Sequence, residues 1–191
     1  MAFSSIYMKQ FEYRNFVRQC MSDFNHSNDH MTLLYLTMGL IEEVDELCHK
    51  ITSRSSIQSV VSEAGDVLWY IEALKIKLSY VEPLVMVRGD LKHVSMKFFT
   101  LIKKSVFFNE FDEKNTMNIL SSLSGRLMLM LNNGGYVVDI VTIMESNCLK
   151  LNNRYGKNRD TIYINKDVQT EDMLILNYIN KQNKTNTYEK N

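Results

Sequence analysis

The chain has 191 residues, and its 22 Lys and Arg are matched by 22 Asp and Glu, so its formal net charge is zero. Hydrophobic residues make up 45%, enough for one sizeable core, while the balanced charge argues against broad non-specific nucleic-acid binding, which needs surplus cations. Cys20, Cys48 and Cys148 are odd in number, widely spaced and without a CxxC, which argues against a disulfide framework and a zinc knuckle.

The opening Met-Ala-Phe-Ser-Ser shows no basic stretch leading into an apolar run. No run reaches the ~18 apolar residues of a membrane span. The expectation is a cytoplasmic protein with no membrane partner and no stable nucleic-acid partner. One proline and seven glycines leave few breakers, so the chain reads as all-α, a bundle of about six long helices.

The first helix is predicted over about 3–24, with Ile6, Tyr7, Phe11, Phe16, Val17, Cys20 and Phe24 as a loose apolar face. The polar run from Asn25 to Asp29 supplies a cap for the second, over about 31–52. Its stripe is Leu33, Leu36, Leu40, Val44, Leu47 and Ile51. Ser53 to Ser56 break it. The third helix, about 57–80, repeats the period with Val60, Ala64, Val67, Ile71, Leu74 and Leu78. Pro83 suits the first turn of a fourth, running to about Val106. A fifth over about 114–132 stops at Asn132-Asn133-Gly134-Gly135, and a sixth covers about 136–154. Beyond Gly156, Thr161 to Ile164 reads as a short strand and Glu171 to Ile179 as a short helix. The final ten or so residues are expected to be disordered.

At the margins of the second and third stripes stand two acidic pairs, Glu43-x-x-Glu46 and Glu63-x-x-Asp66. Spacing of i,i+3 puts each pair on one helix face. Two antiparallel helices joined by a short loop would bring the pairs together across their seam. Four carboxylates aimed inward would repel one another, and a hard divalent cation, Mg²⁺ or Mn²⁺, would relieve that repulsion. The plainer alternative is a pair of solvated acidic edges. Near the end, Asn147, Lys150 and Arg154 share a helix face and form a donor strip suited to phosphate oxygens, or an ordinary solvated cationic face.

These residues resemble a known family. Gly39-Leu40-Ile41-Glu42-Glu43-Val44-Asp45-Glu46-Leu47, with Glu63-Ala64-Gly65-Asp66-Val67-Leu68-Trp69-Tyr70-Ile71, is similar to the MazG-like branch of the all-α nucleoside triphosphate pyrophosphohydrolases. Asn147-x-x-Lys150-Leu151-x-x-Arg154-Tyr155 is similar to that family's third element, with Gly156 where proline usually follows. The resemblance implies that Glu43, Glu46, Glu63 and Asp66 hold Mg²⁺, with Mn²⁺ as a substitute, and that one of them takes a proton from the attacking water. It implies a nucleoside triphosphate or related nucleotide as substrate, and monophosphate and pyrophosphate as products. Asn147, Lys150 and Arg154 would meet the phosphates. Tyr155 would stack on the substrate or close the helix, and Trp69 is a core aromatic or a base-stacking one. Glu42 would support the ligands or pair with a lysine, and Lys50 would reach the triphosphate or stay solvated. A homodimer is expected.

The departure from the short family members is the stretch 72–146 between the second and third elements. Ile102 to Phe108 and then Leu123-Ser124-Gly125-Arg126-Leu127 resemble a worn second copy of the helical unit, with Arg126 where an acid should stand. The expected domain is therefore 1–156, an acidic half over about 1–81 and a degenerate half over about 84–156, followed by an extension over 157–191. An unrelated helical insertion is the alternative. Two rival functions compete. Glu46-Leu47-Cys48-His49 has the Glu-x-x-His spacing of carboxylate-bridged di-iron bundles, though Asp90-Leu91-Lys92-His93 is only an approximate second copy. Twelve methionines allow a non-catalytic helical interaction module.

Overall fold

A computed structural model describes residues 2–21, 29–80, 87–155 and 168–188. Among them there are seven helices and no strand: α1 (Ala2–Met21), α2 (Asp29–Thr52), α3 (Ile57–Lys77), α4 (Leu91–Phe108), α5 (Glu113–Asn133), α6 (Ile140–Tyr155) and α7 (Val168–Tyr188). The all-α expectation holds, and the seventh helix is the one expected over Glu171 to Ile179. No described helix is long and apolar enough to cross a membrane.

Helix α3 is the hub. It packs against α1, α2, α5, α6 and α7, while α2 packs on α3 and α4. Its apolar residues run round most of its circumference. Val60, Ala64, Val67, Ile71 and Leu74 face the main core, and Val61 turns to a second cluster with Ile175 and Ile179 of α7. A helix apolar on so many sides must be covered on all of them. On α2 the buried line is Leu36, Leu40, Val44 and Leu47. The α1 face differs from expectation. Phe11 is 66% exposed, and Tyr13 joins the expected Val17 on the buried side.

Several boundaries move for local reasons. Helix α3 stops at Lys77 because Ser79 turns to φ 48°. Helix α4 starts at Leu91 because the Asp90 carboxylate accepts from the His93 backbone N–H at 2.7 Å, capping a helix that was expected to start at Pro83. Pro83 itself lies outside the described residues. Helix α6 starts at Ile140, not 136, since Asp139 accepts from the Thr142 N–H at 2.8 Å. Helix α7 is far longer than the short helix expected and continues into the stretch expected to be disordered. The strand expected at Thr161 to Ile164 lies outside the described residues.

A buried charge set ties α1 to α3. Glu72 accepts from Lys75 Nζ at 2.7 Å and from Arg14 Nε at 3.1 Å, and Lys75 also reaches Ser124 Oγ on α5 at 3.3 Å. Glu72 and Lys75 are both buried. Removing one partner leaves the other charged and desolvated, which costs about 3–5 kcal/mol. Glu72→Ala is therefore expected to lose roughly 3 kcal/mol or more of unfolding free energy in a urea titration. Glu72→Met, introduced with Lys75→Met, should recover much of that loss.

Candidate metal centre

Glu43 projects from the middle of α2, and Glu63 and Asp66 lie one turn apart on α3. The three offer carboxylate oxygens that all lie within 4.8 Å of one another. All three are half-buried, at the seam where α2 and α3 pack. Glu46, the fourth acid expected there, is exposed and outside this set, though close enough for its charge to act on Glu43 and Glu63.

The mutual repulsion is offset unevenly. Lys150 on α6 is fully buried, with 0% exposure, and its ammonium donates to Asp66 Oδ2 and, at 3.1 Å, to both the Ser62 carbonyl and hydroxyl. The other Asp66 oxygen accepts from Asn147 Nδ2 at 3.1 Å. Asn147 Oδ1 in turn accepts from the buried Tyr13 hydroxyl at 3.0 Å. Glu63 faces the Lys50 ammonium at 3.9 Å. Among the described residues Glu43 has no ion-pair partner. Burial, then the charges of Asp66, Glu46 and Glu63, push its carboxyl up to about 8. Burial and Asp66 also raise Glu63, against the pull of Lys150 and Lys50. Burial holds the Tyr13 hydroxyl well above the usual phenol range, so it remains a donor.

The remaining expected residues have the following surroundings. Arg154 forms a bidentate pair with the buried Glu171 of α7, Nε to Oε1 at 2.5 Å and Nη2 to Oε2 at 2.7 Å. Trp69 is 8% exposed in the core, edge-on to Tyr70 at 5.1 Å between centroids. Tyr155, by contrast, is 40% exposed. Tyr70 lies over Gly39 of α2, where a Cβ would come within 2.4 Å of its ring. Burial, with the nearby Tyr35, Glu43 and Asp66, raises its hydroxyl pKa. The residues that sequence reasoning missed are Tyr13, Ser62 and Glu171. None lies in an acidic or cationic motif. The one available signal was Gly65, a glycine inside a strong helical run. A Cβ there would sit 2.9 Å from Asn147 Cβ, so the glycine makes the slot that admits Asn147.

Three hard oxygen donors converging in a half-buried seam, one of them with its pKa pushed up to about 8 by burial and its acidic neighbours, fit a divalent cation of the Mg²⁺ or Mn²⁺ kind. The cluster holds no histidine, and His49 and His93 are both exposed, which does not suit the di-iron arrangement.

A cation held by all three acids would need the Glu43 carboxylate, whose pKa is pushed up to about 8. Binding at pH 7 is therefore expected to release a proton, and Mn²⁺ affinity to rise roughly tenfold per pH unit before levelling above the Glu43 pKa. Calorimetry in buffers of different ionisation enthalpy reads both, and an affinity flat from pH 6 to 8 would contradict it. The sign for folding is opposite. Because the folded pKa exceeds the ordinary 4.5, the metal-free fold loses stability as pH rises from about 4.5 to about 8.

The MazG nucleotide pyrophosphohydrolase domain, as a protein family, matches residues 31–76. That span takes in nearly all of α2 and α3 and all three clustered acids. No curated protein and no solved structure matches the chain. The hairpin that carries the carboxylates is thus similar to a MazG nucleotide pyrophosphohydrolase domain.

Proposed function

We propose that this chain is a Mg²⁺-dependent nucleotide pyrophosphohydrolase, with Mn²⁺ as a substitute, that cleaves a nucleoside or deoxynucleoside triphosphate to monophosphate and pyrophosphate. The observation that carries the reading is the convergence of Glu43, Glu63 and Asp66 on the hairpin that the MazG domain matches. When bound, Mg²⁺ supplies Lewis acidity toward phosphoryl oxygen and lowers the pKa of water.

The chain's own residues do the rest. Glu43, Glu63 and Asp66 supply the ligand oxygens. Lys150 donates to Asp66 and Ser62, and Asn147 donates to Asp66, so both orient a ligand where the sequence alone suggested a phosphate contact. Glu46 borders the cluster from the solvent side. It is the carboxylate best disposed to take the proton of the water that attacks the α-phosphorus as the bridging oxygen leaves with pyrophosphate. Lys50, partly exposed beside Glu63, is the cation at the mouth for the departing charge. Arg154 keeps guanidinium donors beyond the two that meet Glu171, and Tyr155 offers an exposed ring near it.

The domain reading belongs to the same proposal. Residues 1–156 would be one unit in which α4–α5 is a second hairpin that has lost its acids. In its support, α2–α3 and α4–α5 turn through loops of equal length, 53–56 and 109–112, each with a left-handed residue, Arg54 at φ 54° and Asn109 at φ 56°. Arg126, at the position of Asp66, donates to the Val87 carbonyl at 3.1 Å. The extension would then brace the unit, with Ile175 and Ile179 of α7 on Val61. A homodimer is supported by the apolar residues left outside, Met8 and Phe11 on α1 among them. Three thiols and no disulfide suit a reducing, cytoplasmic setting.

A panel of ribo- and deoxyribonucleoside triphosphates, assayed for monophosphate and pyrophosphate with Mg²⁺, Mn²⁺ or EDTA, tests the reaction. Turnover should require the cation and fall to background in Glu63→Gln and in Asp66→Asn, with helix content kept. Full activity in either variant, or in EDTA, would sink the proposal. A folded wild type that turns over nothing in the panel and binds no cation would favour the interaction module.

A further inference from the structure

Helix α1 lies outside the matched residues 31–76, yet it reaches the carboxylate centre. The contact runs through an amide with two unlike ends. Asn147 presents Nδ2 to Asp66 Oδ1 at 3.1 Å and Oδ1 to the Tyr13 hydroxyl at 3.0 Å. Turned over, the amide would set its oxygen against the Asp66 carboxylate, acceptor against acceptor. It has little room to take up any third arrangement. A Cβ on Gly65 would already lie 3.0 Å from Nδ2, and Tyr13 is buried on the far side with 2% exposure. Lys150 holds the other oxygen of Asp66, so the carboxylate is gripped at both ends.

We propose that Tyr13 is a positioning residue for the metal centre, whose hydroxyl fixes the Asn147 amide and through it the rotamer in which Asp66 joins Glu43 and Glu63. This rests on the reading of those three acids as cation ligands. Groups that hydrogen-bond metal-ligating carboxylates set their orientation, and losing one typically weakens metal binding by about 10–100-fold. A tyrosine that merely filled the core would act through its ring alone.

Mn²⁺ affinity of the full chain, read from the signal of free Mn²⁺ by electron paramagnetic resonance, separates these roles. The variants are Tyr13→Phe, which keeps the ring, and Tyr136→Phe. Tyr136 donates its hydroxyl to the Ser55 carbonyl at 2.8 Å at the α2–α3 turn, so it serves as a matched loss elsewhere. Both should melt a few degrees lower than wild type, with unchanged helix content. Tyr13→Phe, acting one bond further out through Asn147, is expected to weaken Mn²⁺ binding by up to about tenfold, and Tyr136→Phe to leave it as in wild type. Wild-type affinity in Tyr13→Phe, or equal weakening in both variants, would overturn the positioning role while the metal centre stands. A folded wild type that binds no Mn²⁺ would overturn the centre, and the relay with it.

Discussion

Three carboxylates whose oxygens lie within 4.8 Å of one another, half out of water, repel strongly, and much of this fold is arranged around that repulsion. The charges are not met alike. Asp66 receives a buried ammonium and an amide, Glu63 a more distant lysine, and Glu43 a proton. Lys150 can be wholly buried only because Asp66 and Ser62 take up its donors, and an unpaired buried charge would cost several kcal/mol. The seating of α6 on α3 therefore depends on Asp66, one of the three acids proposed as cation ligands.

That dependence reaches well beyond the hairpin that the family match covers. Helix α6 supplies Lys150 and Asn147, and α1 supplies Tyr13. The next residue of α1, Arg14, is anchored to Glu72 further along α3. Helix α7 closes the other side, holding Arg154 through Glu171 and covering Val61. Burying Ile175 and Ile179 there contributes roughly 1.5–3 kcal/mol each before ordering costs are set against it. The centre is thus assembled within one chain from helices far apart in sequence.

Much of this could be read from residue order. Period alone gave the helices, and the two acidic pairs marked the seam. What was missed has local causes. Glu46 sits three residues after Glu43, and a helix turns about 100° per residue, so it points some 60° away, toward solvent. Glu63 and Asp66 have the same spacing but lie on a helix covered from several sides, and Lys150 draws Asp66 inward. Trp69 stands three residues after Asp66, and its placement in the core reflects α3's burial more than the motif. Tyr13 and Glu171 were invisible because a hydroxyl or a carboxylate in a helical stretch says nothing of its distant partner. The starts of α4 and α6 moved to the residues that Asp90 and Asp139 cap.

If Glu43, Glu63 and Asp66 together hold the divalent cation, diffraction from crystals grown with Mn²⁺ and measured at the manganese absorption edge will show an anomalous peak at the α2–α3 seam, with oxygens of all three carboxylates about 2.0–2.3 Å away. Manganese bound elsewhere, or a protein saturated with Mn²⁺ that leaves these three side chains unligated, would contradict it.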